Sequence, residues 1–325
     1  MLKRGVVVAV VACGACALAL GVLVLRPGPV RQPAAAATRP AAAFGSAAAF
    51  GSAVRQRSSG TQRANSDAVQ AVDPALFSPG ACMTFPPTDG DRHKTVFLDA
   101  GHGAIDPGGV GTTESGTSVE ESTVNLAIEL DTMAILRSQG YRVVVSRTAD
   151  STVTRLTPGD LDGSLFTVRG SFNDVAARDV CANLAKANVL VGIYMNSGEP
   201  WNAGSVTGYD ADRPFAADNL RLATLLQHDV LGGMNAQGWN IPDGGVRDDT
   251  GLGSALSAAA VAYGHLLLLG PAKKGYFETP SQMPGALIEP LFVTDPFEAS
   301  IAASAHGQQV IATGIAKAMG QYFSG

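Results

Sequence analysis

A histidine between two glycines, His102, stands just after a short apolar run and is the starting point for any chemistry of this chain. The segment TVFLDAGHG, residues 95–103, predicts a buried strand that ends in a tight turn. In open α/β sheets, the loops that leave the carboxyl ends of the strands form the crevices that bind ligands. A solvated loop histidine fits the same pattern, so His102 becomes a functional candidate only through the residues that accompany it.

Two carboxylates accompany His102. Glu121 stands just before an apolar helical stretch, a position where acidic residues also occur because they complement the helix dipole. Glu289 interrupts the apolar segment ALIEP, and burying an unpaired charge is costly. A histidine and a glutamate can bind zinc while a second glutamate serves as general base toward water. The three residues together predict a zinc hydrolase.

Further stretches follow His102 in a fixed order. They are Asp106, Gly108 and Gly111 after VFLDAGHG, Glu121 before Asn125 and Leu126, SRTAD at 146–150, PGALIEPLFVTDPFEA at 284–299 and GIAKAMGQYF at 314–323. Over residues 94–323 this order resembles the zinc-dependent N-acetylmuramoyl-L-alanine amidases that cut peptidoglycan. The resemblance implies hydrolysis of the amide between N-acetylmuramic acid and L-alanine of the stem peptide. It also implies that His102 and Glu121 are zinc ligands and that Glu289 is the catalytic carboxylate.

The chain departs from this family at one ligand. The family's second histidine ligand, in the motif SIHAN, aligns with Tyr194 in GIYMNSG. A phenol has a pKa near 10 and is a poor zinc ligand at neutral pH unless the metal lowers that pKa. Tyr194 as a phenolate, or Asn196, would complete a weaker zinc site. His265, at the start of HLLLLG, is the other candidate, although the first residue of a strand should lie at the opposite edge of the sheet.

Asn196 and Arg178 are the candidates for substrate binding. Asn196 lies just beyond the metal position and would orient substrate or water. Arg178 lies on a predicted helix, where capping or ion pairing is the alternative role. Residues 199–213 and 239–253 would line a groove for glycan and peptide, and residues 270–282 would form a lid, since recognition usually resides in loops on a rigid scaffold.

The folded part of the chain alternates between strand and helix patterns. After the first strand, helices are predicted at residues 121–139, 168–187, 215–234 and 296–323, and strands at 141–147, 188–194, 265–269 and 285–292. This alternation predicts an α/β fold with a mostly parallel sheet covered by helices on both faces. Cys82 and Cys181 would pair in an extracytoplasmic compartment, and two free thiols are the alternative.

The first part of the sequence has a different composition. Within residues 1–26, Lys3 and Arg4 precede an apolar stretch long enough to span a bilayer, which predicts a transmembrane anchor, with a cleaved signal sequence as the alternative. Residues 27–73 are rich in Ala, Pro, Ser and Gly and predict a disordered tether. Residues 74–325 then form the amidase-like domain. This order predicts the cell envelope, at the outer face of the cytoplasmic membrane, or secretion if the segment is cleaved.

Two functional classes remain open from the sequence. The first is an active amidase with an altered, weaker zinc site; the second is a degenerate amidase that binds peptidoglycan or an envelope partner as a regulator. Retention of His102, Glu121 and Glu289 favours the enzyme, whereas Tyr194 favours the binding protein. The net charge of −5 argues against nucleic acid as a partner.

Overall fold

Strands and helices alternate through residues 69–252 and 257–325, the part of the chain that this computed structural model describes. The strands are β1 Gln70–Ala71, β2 Ala81–Phe85, β3 Thr95–Ala100, β4 Val110–Thr112, β5 Ser118–Glu120, β6 Arg142–Arg147, β7 Leu161–Asp162, β8 Leu165–Phe166, β9 Val189–Ile193, β10 Ser205–Tyr209, β11 Asp243–Asp248 and β12 Gly285–Glu289. The helices are α1 Glu121–Ser138, α2 Val168–Leu184, α3 Ala216–Asn235, α4 Ala258–Tyr263, α5 Pro296–Ala303 and α6 Ala305–Ser324. The predicted α/β class is confirmed.

In the described part of the chain, eight strands form one mixed sheet in the order β1-β2-β6-β3-β9-β12-β10-β11. The four central strands, β6, β3, β9 and β12, run parallel to one another. Strand β2 is antiparallel to β6, and β10 is antiparallel to β12. The carboxyl ends of the four central strands therefore lie at one edge of the sheet, and the residues that follow them are neighbours in space.

The composition of β3 explains why the sheet is covered on both faces. Side chains alternate across a strand, so Val96 and Leu98 point to one face and Phe97 to the other. Val96 and Leu98 pack in the cluster that contains residues of α1, α3 and α6. Phe97 packs in a second cluster, with residues of α2. A continuous apolar strand is stable only with a layer on each side, and here both layers are helical.

A disulfide joins Cys82 in β2 to Cys181 in α2, so the two cysteines pair as the sequence suggested. The bond closes a long loop, with a sequence separation of 99 residues. We expect the Cys82→Ser/Cys181→Ser variant to lose about 2–4 kcal/mol of unfolding free energy, because the unfolded chain gains conformational freedom. Urea unfolding with and without reductant measures this loss. Equal midpoints for the oxidised and reduced proteins would contradict it.

The predicted strand at residues 265–269 is wrong. The N–H of Leu266 donates to the Asp249 carboxylate at 2.7 Å, and the N–H groups of Leu269 and Gly270 both donate to the carbonyl of Leu266. These hydrogen bonds within turns use backbone N–H and C=O groups. In a β-strand the same groups would be paired with a neighbouring strand. The leucines are nevertheless buried, so the segment has the apolar pattern of a core strand without its conformation.

The predicted helix at residues 296–323 is two helices, α5 and α6. Ser304 between them has an extended backbone, and its hydroxyl accepts a hydrogen bond from the N–H of Gly307 at 2.9 Å. Ser304 therefore ends α5 and caps the start of α6, as serine commonly does at a helix N-terminus.

The predicted anchor, residues 1–26, lies outside the described residues, as do residues 27–68 of the predicted tether. The last part of that tether, Gln70–Ala71, pairs with β2 at the edge of the sheet. Among the described helices, none combines the length and apolar character that crossing a membrane requires.

Candidate active site

The loop after β3 carries His102 in an unusual backbone conformation. His102, Gly103 and Ala104 have φ angles of 63°, 133° and 55°, and such left-handed backbone is uncommon for residues other than glycine. Two arginines hold the carbonyl groups of this loop. Arg147 donates to the carbonyls of Ala100 and Gly101, and Arg178 donates to those of Ala100 and His102. The loop is thus held in a strained shape that displays the imidazole, as is common at functional sites.

His102 and Glu121 form a close pair. Nε2 of His102 lies 3.2 Å from Oε1 of Glu121, which stands at the first position of α1. Backbone N–H groups of Gly109 and Met195 donate to the two oxygens of Glu121 at 2.7 and 3.0 Å. Nδ1 of His102 lies 2.8 Å from Oδ2 of Asp106. The sequence prediction brought the histidine and the glutamate together correctly, but it missed Asp106 as the partner that orients the ring.

Gly108 makes this pair possible. It has a φ of 68°, and a Cβ at this position would lie 2.6 Å from Oε2 of Glu121 and 2.7 Å from Cδ2 of His102. Any other residue would push the two side chains apart.

The pKa of His102 reflects its neighbours. Burial by itself lowers that pKa, but the Glu121 carboxylate and the hydrogen bond to Asp106 outweigh burial and raise it to about 10. His102 is therefore protonated near neutral pH when no metal is bound. A metal ion held by this pair would have to displace the proton, so its affinity would rise with pH.

Glu289 ends β12 and is only 5% exposed. Its Oε2 atom has no hydrogen-bond partner among the described residues. Burial, followed by repulsion from Glu121, raises the pKa of Glu289 to about 8. The burial expected from the apolar sequence around this carboxylate is confirmed, and its side chain faces the cavity that His102 and Glu121 line.

Tyr194 follows β9 and lies beside His102, with ring centroids 5.5 Å apart. Its hydroxyl donates to Oδ2 of Asp99 at 3.1 Å, and burial together with Asp99 raises the pKa of the phenol well above its usual value. A Cβ at position 101 would clash with the tyrosine ring, so Gly101 provides its space. This geometry gives Tyr194 a carboxylate partner and gives no support to its predicted role as a zinc ligand, which stays a prediction.

Arg178 is the centre of a buried polar network beneath His102. Its guanidinium donates to Oδ1 of Asp99 at 2.6 Å and to Oδ2 of Asp174 at 2.9 Å, in addition to the loop carbonyls. The side chain is 1% exposed. These contacts fit the pairing role that the sequence left open, and they give no support to the prediction that Arg178 binds substrate.

Asn196 lines the same cavity as His102 and Glu289. Its side-chain oxygen accepts a hydrogen bond from the N–H of Ser197, while its backbone bridges to Leu291 and Val293. Asn196 is therefore held in place at the cavity, where a substrate can reach it. The substrate contact itself stays a prediction.

The cavity has a volume of about 380 Å³ and two chemically different sides. The polar side includes His102, Asp106, Glu121, Asn196 and Glu289. The apolar side is formed by Val175 of α2, Ala260 of α4 and the leucines Leu266, Leu267 and Leu268. This wall was missed by the sequence analysis because residues 265–269 were assigned to the sheet.

His265 does not join His102 and Glu121. Its Nδ1 atom lies 3.0 Å from Oδ2 of Asp210 and 3.1 Å from Oδ1 of Asp249. Asp210 follows β10, which is antiparallel to β12, so this group lies toward the opposite edge of the sheet from Glu289. The suggestion that His265 replaces the missing ligand is wrong.

Comparisons with known proteins place the chain in a family. A family model described as N-acetylmuramoyl-L-alanine amidase matches residues 96–321. The chain is 26% identical to the uncharacterized protein YqiI of Bacillus subtilis, over 71% of this chain and 85% of that protein. It is 24% identical to the germination-specific N-acetylmuramoyl-L-alanine amidase of the same organism, over 71% of this chain and 80% of that protein.

A solved structure shares the fold. The CwlD amidase from Clostridioides difficile, determined in complex with the GerS lipoprotein, matches with a TM-score of 0.53 at 23% identity, over 71% of this chain and 98% of that chain. The segment matched by the family model, residues 96–321, contains β3 from its second residue, all of β9 and β12, and the His102 loop, Glu121 and Glu289. The chain belongs to the N-acetylmuramoyl-L-alanine amidase family.

Proposed function

We propose that the chain hydrolyses the amide bond between N-acetylmuramic acid and the L-alanine that begins the stem peptide of peptidoglycan. The observation that carries this proposal is the Oε2 atom of Glu289, buried and without a hydrogen-bond partner in the described part of the chain, at a cavity shared with His102 and Glu121. An unpartnered buried carboxylate destabilises a fold. A use in catalysis explains its presence.

Zinc is the cofactor that fits the polar side of the cavity. Two ligands of a tetrahedral zinc ion lie about 3.3 Å apart, close to the 3.2 Å between Nε2 of His102 and Oε1 of Glu121. Asp106 holds Nδ1 and so presents Nε2 to the cavity, as carboxylates behind zinc-binding histidines do. When bound there, zinc supplies Lewis-acid polarisation of the scissile carbonyl group.

The chain's own residues carry the proton transfers. Glu289 accepts a proton from the attacking water at Oε2 and returns it to the nitrogen of the departing L-alanine. A general base works best when its pKa lies near the working pH, and burial brings Glu289 into that range. Asn196 orients the substrate, and the leucine wall at residues 266–268 contacts the stem peptide. Arg178 acts by positioning the His102 loop.

The proposed place of action is the cell envelope, outside the cytoplasmic membrane. The apolar residues 1–26 would anchor or export the protein, and residues 27–68 would act as a tether. The amidase domain would include β1, because Gln70–Ala71 pairs with β2 in the main sheet. The Cys82–Cys181 disulfide supports this location, because disulfides persist mainly in oxidising compartments.

A degenerate amidase that binds peptidoglycan without cutting it is the second candidate. The hydrogen bond from Tyr194 to Asp99 favours it, because the phenol at the position of the family's second histidine keeps its proton. His102 and Glu121 then supply two protein ligands instead of three, which lowers zinc affinity.

Substitutions at Tyr194 separate these possibilities. We expect Tyr194→Phe to keep its zinc and its turnover within about threefold, and to lose about 1 kcal/mol of stability because Asp99 loses a hydrogen-bond donor. We expect Tyr194→His to bind zinc at least about tenfold more tightly, because a neutral imidazole is the better ligand. Zinc titration, muropeptide cleavage and urea unfolding measure these effects.

The matched control is Tyr141→Phe. The Tyr141 hydroxyl is also buried, and it has no hydrogen-bond partner among the residues described, so its removal should not reduce stability. Loss of zinc from Tyr194→Phe would instead identify Tyr194 as a ligand. If turnover appears only in Tyr194→His, the unsubstituted protein is a degenerate amidase that binds peptidoglycan without cutting it.

A further inference from the structure

Two aspartates and a histidine from three separate segments meet at one point away from the catalytic cavity. Asp210 follows β10, Asp249 follows β11, and His265 follows α4. One ligand atom from each residue lies within 4.8 Å of the other two. We propose that Asp210, Asp249 and His265 form a second metal site, which binds a zinc ion independently of the His102–Glu121 pair.

Hydrogen bonds aim one atom of each carboxylate at this point. Oδ1 of Asp210 accepts the N–H of Asp212 at 2.8 Å, which leaves Oδ2 directed at His265. Oδ2 of Asp249 accepts the N–H of Leu266 at 2.7 Å, which leaves Oδ1 directed at His265. Partners of this kind orient the ligands of metal sites and fix which oxygen faces the ion.

One hydrogen bond from His265 cannot satisfy both carboxylates. Nδ1 is hydrogen-bonded to Oδ1 of Asp249 at 3.1 Å. Oδ2 of Asp210 is only 3.0 Å from the same nitrogen but has no hydrogen-bond partner among the described residues, and Asp210 is fully buried. A cation between the three atoms would contact both oxygens and the nitrogen at once.

The charges around this point favour the binding of a divalent cation. Asp210 and Asp249 carry two negative charges when ionised, and both are 0% exposed. Arg213 is the positive side chain that also acts on Asp210, but its guanidinium donates to the carbonyls of Leu269 and Gly270 at 2.7 and 3.0 Å. Burying charges without a compensating ion is costly, so a cation at this point would offset the free-energy cost of burying the two carboxylates.

The donor set favours zinc over calcium. Calcium takes six to eight oxygen ligands in general, whereas zinc accepts three protein ligands that include an imidazole. Ligands of tetrahedral zinc lie about 3.3 Å apart, and Nδ1 of His265 is 3.0 and 3.1 Å from the two carboxylate oxygens. Bound zinc would require the nitrogen and the two oxygens to separate by a few tenths of an ångström.

The site would fix the apolar wall of the catalytic cavity. His265 immediately precedes Leu266, Leu267 and Leu268, which form that wall. A zinc ion would tie the start of this turn-rich segment to the ends of β10 and β11. The second site is therefore structural, and it does not depend on whether the first site is catalytic.

The test uses the full-length protein with the first site removed by His102→Gln. After treatment with EDTA and dialysis, this variant should take up about one equivalent of zinc, and its Tm should rise by about 5 °C at a zinc concentration 100-fold above Kd. Adding Asp210→Asn should abolish both effects. The amide oxygen of asparagine can still accept the N–H of Asp212, but the carboxylate oxygen that would bind the metal is replaced by an NH₂ group. Adding His228→Gln is the matched control, since His228 also neighbours an aspartate but its side chain is 77% exposed, and it should change neither effect.

Three results in solution would overturn the proposal. These are no zinc uptake by His102→Gln, equal uptake with and without Asp210→Asn, or preferential binding of Ca²⁺ in a parallel titration. Crystals of the unsubstituted protein soaked in zinc make the test independent of how Asp210→Asn folds. An anomalous peak between the two aspartates and His265 is expected, and its absence from an ordered site would equally overturn the proposal.

Discussion

Replacing Glu289 with glutamine is expected to reduce muropeptide cleavage by at least about 100-fold, because the amide cannot accept a proton from water. The substitution keeps the size of the side chain at the end of β12, so the fold and the zinc content should be unchanged. Turnover is measured as release of free stem peptide, and zinc by elemental analysis of the same samples.

The matched control for this substitution is Glu120→Gln. Glu120 is an exposed carboxylate that immediately precedes α1, next to the proposed ligand Glu121. Its loss should change turnover by less than about twofold, because surface substitutions away from a site have small effects. Turnover in Glu289→Gln equal to that of Glu120→Gln would remove Glu289 from the mechanism.

Glu289→Gln also has an expected effect on stability. The pKa of Glu289 is about 8 in the folded protein and near 4.5 when unfolded, so the folded state binds the extra proton between these values. Stability of the metal-free protein therefore falls as the pH rises from about 4.5 to about 8. Glu289→Gln removes this loss, so the metal-free variant should be about 1–3 kcal/mol more stable at pH 7 than the unsubstituted metal-free protein. Urea unfolding measures the difference. A stability difference that does not grow with pH would contradict the raised pKa.

Replacing Arg178 with methionine is expected to destabilise the domain by about 3–5 kcal/mol, because Asp99 and Asp174 would be left buried without their cationic partner. The His102 loop would also lose the donor that holds its carbonyl. We therefore expect weaker zinc binding in addition to the loss of stability. Urea unfolding and zinc titration measure the two effects separately.

Arg169→Met is the control for Arg178→Met, since both arginines lie on α2. The Arg169 side chain is 63% exposed and lies 3.5 Å from the buried Asp160. Asp160 keeps its hydrogen bonds from Thr157 and Asn173 when Arg169 is replaced, so the loss should be at most about 1 kcal/mol. If Arg178→Met were no more destabilising than Arg169→Met, the buried network would not stabilise the His102 loop.

The catalytic candidates could be predicted from the sequence because each breaks a local pattern. His102 ends an apolar strand between two glycines, and Glu289 is a carboxylate within an apolar segment. The same argument applies to Asp99, which ends the apolar run of β3 and is 0% exposed. A polar residue at the end of an apolar run is equally typical of the boundary of a strand, so the sequence does not single out Asp99.

Two strands could not be predicted from their composition. β10 has the sequence SVTGY and β11 the sequence DGGVRD, and neither has the apolar alternation that indicates a strand. They form because β12 offers an edge for β10 to pair with, and β10 then offers one to β11. Such pairing depends on tertiary structure, which a local pattern does not contain.

The group at His265 shows a third limit. Its residues are separated by 39 and 16 positions in the sequence (249 − 210 and 265 − 249), and no spacing motif connects them. The apolar residues after His265 suggest a strand, which hides its proximity to the two aspartates. Only the turns at Leu266 and the antiparallel course of β10 bring the three side chains together.

Cleavage of purified muropeptides by the full-length protein with added zinc tests the central proposal most directly. We predict stem peptides with a free L-alanine amine and N-acetylmuramic acid with a free lactyl carboxylate, both detected by mass spectrometry, and neither product from Glu289→Gln. Intact muropeptides after incubation with zinc-loaded, folded protein would contradict the proposed activity and leave a peptidoglycan-binding protein built on the amidase fold.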